Sequence, residues 1–188
     1  MNKKIFSVIL SILLVALTVL SFFTTYANNR SGTVSAATCN ISAGNKAYII
    51  NKYSDCKTVE ELIMRLDNEI CKEYTYYYCP PIIFQHFDID NFIKTKKGLC
   101  FDYACYAKIV FNTIFPNVKV YVCDVRIDYF NNHSYNFIET DTHRYAVDFT
   151  TNQYKYKNNQ KRIIYEDIGT LSFDEYAKLY NEEILNYH

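Results

Sequence analysis

Three residues in this chain are of types that together carry out nucleophilic chemistry: Cys100, His133 and Asp148. Cys100 follows Lys97-Gly98-Leu99 and opens an apolar-striped segment that begins Phe101-Asp102-Tyr103-Ala104. A cysteine at the first turn of a helix meets unpaired backbone N–H groups and the positive end of the macrodipole, and both favour thiolate over thiol. The same N–H groups can hold the oxyanion that forms when a thiolate attacks a carbonyl. Acyl transfer also needs a proton carrier within reach of the sulfur and an anion that fixes the carrier's tautomer. His133 and Asp148 are of the right types for these roles. The competing reading of Cys100 is a buried structural cysteine, because it shares a helix face with Ala104, Ala107, Phe111 and Ile114. Its place beside a glycine at a first turn favours the nucleophile. Cys105, one turn further in, reads as an inert small hydrophobe.

The elements that must position these groups follow from periodicity. The helix that starts near Cys100 must end before Pro116. Upstream, Thr58-Val59-Glu60-Glu61 has the form of a capping box, and Val59, Leu62, Ile63, Leu66 and Ile70 recur at helical spacing, which predicts a helix over 59–73. Residues 74–78 read as extended and are ended by Pro80-Pro81. Asp88 caps a short helix over 89–96 that Gly98 stops. From Val118 the period changes to two, with Val118, Val120 and Val122 on one face and Tyr121, Cys123, Val125 and Ile127 on the other. A strand apolar on both faces belongs in the middle of a sheet or under a helix.

Two further strands, one alternating from His133 and one alternating from Arg144 to Phe149, flank a polar turn at 139–142 and read as a hairpin. If its loop is even and centred between Thr140 and Asp141, His133 pairs across the ladder with Asp148 and shares its sheet face. Residues 152–162, with Lys155, Lys157, Lys161 and Arg162, read as a solvated loop or edge. Ser172-Phe173-Asp174-Glu175 repeats the capping-box form and opens a last helix. The fold class expected is α+β: helices packed on an antiparallel sheet, the cysteine at a helix N-terminus, and the histidine and aspartate on adjacent strands.

Length and composition bound the rest. A chain of 188 residues holds one domain with a substantial core. Lysine plus arginine equal aspartate plus glutamate at 20 each, which excludes the basic footprint of a nucleic-acid binder. Met1-Asn2-Lys3-Lys4 followed by an uncharged run over 5–27 reads as an export signal, with small residues at Thr25 and Ala27 and again over 34–37 as cleavage sites. Residues 1–37 are thus leader and linker, and 38–188 the domain. The expected location is secreted or at the cell envelope. The alternative is a membrane anchor formed by an uncleaved 5–23, which is long enough to span a bilayer. Seven cysteines leave at least one thiol unpaired, and Cys71 and Cys79 could close a short loop. No C-x-x-C pair exists, so neither a metal site nor a cofactor is expected.

Gly98-Leu99-Cys100-Phe101-Asp102-Tyr103-Ala104, then His133-Ser134-Tyr135-Asn136, then Asp148-Phe149-Thr150 resembles the transglutaminase-like superfamily, with its papain-like arrangement of Cys, His and Asp, in an exported bacterial-type form. That family shows G-x-C-x-x-[YF]-A, H-x-W-N and D-x-T segments in this order on a helix and two strands. The likeness covers residues 58–151, with Tyr135 where the family commonly has tryptophan and Phe149 where it commonly has proline. It implies that Cys100 is the nucleophile, His133 the general base and acid, and Asp148 the residue that orients the imidazole. The activity implied is cysteine-dependent acyl transfer or hydrolysis at amide bonds through a thioester, as a protease, deamidase or crosslinking enzyme. The substrate implied is a protein or peptide, placed at the cell envelope by export. The alternative is a catalytically silent exported binding or scaffolding domain. Gln85 and Tyr78 are the residues considered for a side-chain oxyanion donor. His86 reads as structural, His143 as a solvated turn residue, and Asp102 as a favourable charge at the helix start.

Overall fold

A computed structural model describes residues 41–77, 88–126, 132–171 and 175. The leader, Cys39, Tyr78, Pro80-Pro81, Cys79, Gln85, His86, Ile127 and His188 lie outside the described residues, as does all of the expected last helix except Glu175. Among the described residues no helix is long and apolar enough to cross a membrane.

The first helix, α1 (Ala43–Tyr53), has no counterpart in the sequence reading. Ser42 caps it by accepting the Asn45 N–H at 3.3 Å, but only Ile49 and Tyr53 of its residues are buried, too few to announce a stripe. Helix α2 (Val59–Glu73) is the one expected, with Thr58 accepting the Glu61 N–H at 3.2 Å. It buries Leu62, Ile63, Leu66 and Ile70 completely, each worth about 1.5–3 kcal/mol of transfer free energy. Strand β1 (Thr75–Tyr76) follows at once and pairs in parallel with β2 (Lys97–Gly98), which lies beyond α3 (Ile89–Thr95).

Helix α3 starts on Asp88 as expected, but Gly98 does not stop it. Lys96 does, in the left-handed region at φ 57. Its ammonium lies 3.2 Å from Glu69 and donates to the Tyr74 hydroxyl at 3.0 Å, contacts that hold a conformation lysine rarely adopts. Gly98 is required for another reason. A Cβ there would stand 2.5 Å from the Phe92 ring and 2.7 Å from Asp102 Cβ, so only glycine lets β2 run this close to the helices beside it.

Helix α4 (Cys100–Ile114) runs through the centre of the domain and ends before Pro116. It buries Tyr103, Ala104, Tyr106, Ala107, Val110 and Phe111. Tyr74, Phe92, Tyr103 and Tyr106 pack edge-on and offset around its first turns. Behind it lies a four-stranded antiparallel sheet in the order β3 (Lys119–Arg126), β4 (Asn132–Glu139), β5 (Arg144–Val147), β6 (Glu166–Asp167). The protein is therefore a mixed helix and sheet fold. In that order β3 is the outer strand; its Val122 packs against Ala104 and Cys105 of α4, and Cys123 on its other face joins Tyr135, Phe137 and Ala146, so both apolar faces are covered.

Two expectations are corrected downstream of β5. The third strand was expected to reach Phe149, but the ladder stops at Val147, and Asp148 caps a helix, α5 (Phe149–Lys157), by accepting the Thr151 N–H at 2.9 Å. The polar run over 152–162 is accordingly not a solvated loop throughout. Asn152 and Gln153 are buried, with Gln153 donating to the Tyr74 carbonyl at 2.5 Å. Arg162 reaches Asp67 at 2.6 Å. Polar residues with interior partners look like surface in a sequence.

Candidate active site

Cys100 is the first residue of α4, as expected, and is half-buried. Leu99 offers no side-chain cap. Asp102 compensates by accepting the Leu99 N–H at 2.7 Å, although burial raises its carboxyl above the usual range against that bond. The helix start is also tied to the sheet, since Asn136 of β4 donates to the Ala104 carbonyl at 2.9 Å.

His133 is the second residue of β4, and its Nε2 lies 2.6 Å from Asp148 Oδ2. The direct cross-strand pairing expected of these two residues is not what brings them together. The hairpin pairs Glu139 with Arg144 and Asn136 with Val147, so its loop, 140–143, is centred one residue later than expected. Thr140 closes it, with its N–H donating to the His143 carbonyl at 2.9 Å and its hydroxyl accepting the His143 N–H at 2.9 Å. An even loop keeps the parity, so the shift moves Asp148 to a diagonal position without changing its face. It then meets His133 from the N-cap of α5 instead of from a strand, and the expectation of His and Asp on adjacent strands is corrected to a strand and a helix cap.

The imidazole joins two partners. Asp148 engages Nε2, and Cys100 is hydrogen-bonded to His133 as well. The side chains of His133 and Asp148 are 15% and 19% exposed, enough for a substrate to reach them and little enough for their charges to interact strongly. Burial acts to lower the His133 pKa, but the hydrogen bonds to Asp148 and Cys100 outweigh it and push the pKa up to about 10. Burial acts to raise Cys100. The hydrogen bond and charge of His133, with further bonds from Ser134, win and hold the thiol below its ordinary value. Asp148 is likewise held below the usual carboxylate range, against burial, by His133 and the Thr151 N–H. All three shifts favour a thiolate, an imidazolium and a carboxylate side by side.

Ser134 was not singled out by the sequence reading. Only its place after His133 marks it in the sequence. His143 sits exposed in the hairpin turn, against Thr142 and the Tyr145 ring, apart from this cluster. None of the five described cysteines is in a disulfide, so Cys71 does not close the loop considered for it. Among the described residues no three His, Cys, Asp or Glu side chains stand together as metal ligands. Comparison of the chain with family models, curated proteins and solved structures gives no match.

Proposed function

We propose that the protein is a transglutaminase-like cysteine acyltransferase or hydrolase in which Cys100, His133 and Asp148 act as a triad. The observation that carries this reading is the imidazole of His133 held between a carboxylate at 2.6 Å and the thiol of a helix-start cysteine. Arrangements of this kind are known by geometry and roles and recur on unrelated folds.

The Cys100 thiolate attacks an amide carbonyl, forming a C–S bond while the carbonyl π pair moves to oxygen. The N–H groups of the first turn of α4, which lack intrahelical partners, stabilise that oxyanion. The His133 imidazolium then gives its Nδ1 proton to the amide nitrogen, the C–N bond breaks, and the amine leaves. Neutral His133 next takes a proton from water or from an acceptor amine as its oxygen or nitrogen attacks the thioester carbon, and Cys100 leaves as thiolate. Asp148 keeps Nε2 protonated and stabilises the imidazolium throughout. Export would place a protein or peptide substrate at the cell envelope or outside it. Water as acceptor gives hydrolysis or deamidation, and an amine gives a crosslink.

The experiment is incubation with a glutamine-containing protein and a labelled primary amine, beside Cys100→Ala. Incorporation identifies transamidation, ammonia without incorporation deamidation, and new chain termini proteolysis. Cys100→Ala is expected to lower any of these by at least about 10³-fold. The pH profile is expected to be bell-shaped. It rises as the depressed Cys100 thiol ionises, and it falls near pH 10 as His133 loses the proton the leaving amine requires. No turnover with any acceptor, and no Cys100-dependent acyl-enzyme, would leave a binding domain.

A further inference from the structure

Ser134 stands between the candidate nucleophile and a carboxylate on the neighbouring strand. It is the cross-strand partner of Asp124, and its hydroxyl donates to Asp124 Oδ1. It also hydrogen-bonds Cys100, through both its backbone amide and its hydroxyl. The amide bond to sulfur has a fixed sense. The hydroxyl has one proton and two acceptors that want it, since an ionised carboxylate and a thiolate both lack a proton to give in return.

Asn136, two residues along β4, holds the Ala104 carbonyl, four residues along α4. Ser134 and Asn136 lie two residues apart and share a face of β4, so Ser134 is on the face that meets the first turns of α4. Ser134 is 4% exposed, whereas Asp124 is exposed. The charged or titratable groups about the sulfur are His133 on β4, with Asp148 behind it, Asp102 on the first turn of α4, and Asp124 on β3, which acts through Ser134.

We propose that Ser134 is a positioning residue with a two-way hydroxyl, given to the Cys100 thiolate before acylation and to Asp124 once the sulfur is a neutral thioester, so that Asp124 sets how firmly the thiolate is held. This rests on the reading of Cys100 as the nucleophile. No bond to carbon or sulfur changes in this step; the O–H turns about the Cβ–Oγ bond. A thioester sulfur is a weak acceptor, so the carboxylate wins the proton after acylation and loses part of it when the thiolate returns.

The test is the pH profile of Cys100 alkylation by iodoacetamide, a neutral reagent, read by peptide mapping in the full chain. Ser134→Ala is expected to move the rising limb up by about one pH unit, slowing labelling tenfold below it. Asp124→Ala, at an exposed position, is expected to move it down by about half a unit, because the hydroxyl no longer has a competitor. In the Ser134→Ala background the Asp124→Ala change is expected to do nothing, since its route to the sulfur is gone. The proposal is overturned if the two single variants move the limb the same way or not at all, or if Asp124→Ala keeps its effect in the double variant and so acts by charge alone. His133→Ala separates the layers. If it shifts the limb while the Ser134 and Asp124 variants do not, the nucleophile reading stands and this inference falls. If even His133→Ala leaves the limb in place, both fall.

Discussion

Cys71 and Cys100 each lie beside a basic side chain and an aspartate, and the two settings act on the thiol in opposite directions. Near the C-terminal end of α2, Cys71 Sγ is 2.8 Å from Arg162 Nη1 and 3.8 Å from Asp67 Oδ2. It is 1% exposed, and burial, reinforced by the Asp67 charge, pushes its thiol up to about 12 although Arg162 pulls the other way. Cys100 opens a helix where Cys71 nearly closes one, so the macrodipole favours a negative charge at the first site and opposes it at the second. The basic partners differ more deeply. A guanidinium does not give up its proton in a protein, so Arg162 can neutralise Asp67 but cannot carry protons for a thiol. An imidazole can do both. On the proposed reading, what separates a reactive cysteine from an inert one here is a partner that can return a proton, on a thiol that solvent can reach.

If that contrast is right, the Cys71 cluster belongs to stability. Arg162→Ala leaves Asp67, 1% exposed, without its ion-pair partner, and removing one member of a buried pair costs about 3 kcal/mol or more. Urea unfolding is expected to show that loss, with alkylation of Cys100 in the native protein unchanged. A stable Arg162→Ala protein would break the comparison at its structural half.

The reactive half is sharpened by site-resolved labelling. At pH 7 iodoacetamide is expected to modify Cys100 in the native protein and Cys71 only after unfolding. His133→Ala removes the hydrogen bond and charge that hold the Cys100 thiol down, leaving burial to push it up. Its labelling is then expected to slow by about tenfold or more, tenfold for each unit by which the thiol rises above this pH. Cys71 and Cys100 labelling at equal rates in the folded protein would remove the distinction.

Much of this contrast was legible before any coordinates. A cysteine behind a glycine at a helix start, and the parity of a hairpin that puts His133 and Asp148 on one face, are local features, and local features survive into the fold. The exact pairing was not legible, because moving the loop centre by one residue leaves the alternating pattern of both strands unchanged. Nor was α5, since Asn152, Gln153 and Arg162 turn their polarity to the interior, on the Ile164 and Tyr74 carbonyls and on Asp67. Asp148 was marked by type and spacing as a partner for His133, but its capping of α5 depended on an element the sequence did not announce.

That double task gives the smallest effect and the finest test. Asp148 uses Oδ2 for His133 and Oδ1 for the Thr151 N–H. The Asp148→Asn variant keeps the α5 cap, because asparagine and aspartate are equivalent caps, whereas alanine costs about 1 kcal/mol there. Asp148→Ala is thus expected to melt a few degrees below Asp148→Asn in calorimetry at any one pH. The ion pair separates both variants from wild type, and that gap depends on pH. With the folded His133 pKa raised to about 10 from 6.5, the stability its protonated form contributes is complete below 6.5 and is lost as pH climbs through 10. Wild type should therefore stand above both variants near pH 6 and decline towards them over that window. The variants, lacking the carboxylate, should decline less over the same window and should lose turnover alike. A turnover loss confined to Asp148→Ala would assign Asp148 to the helix alone and leave His133 without an orienting anion, which is the feature that sets the Cys100 site apart from the Cys71 site.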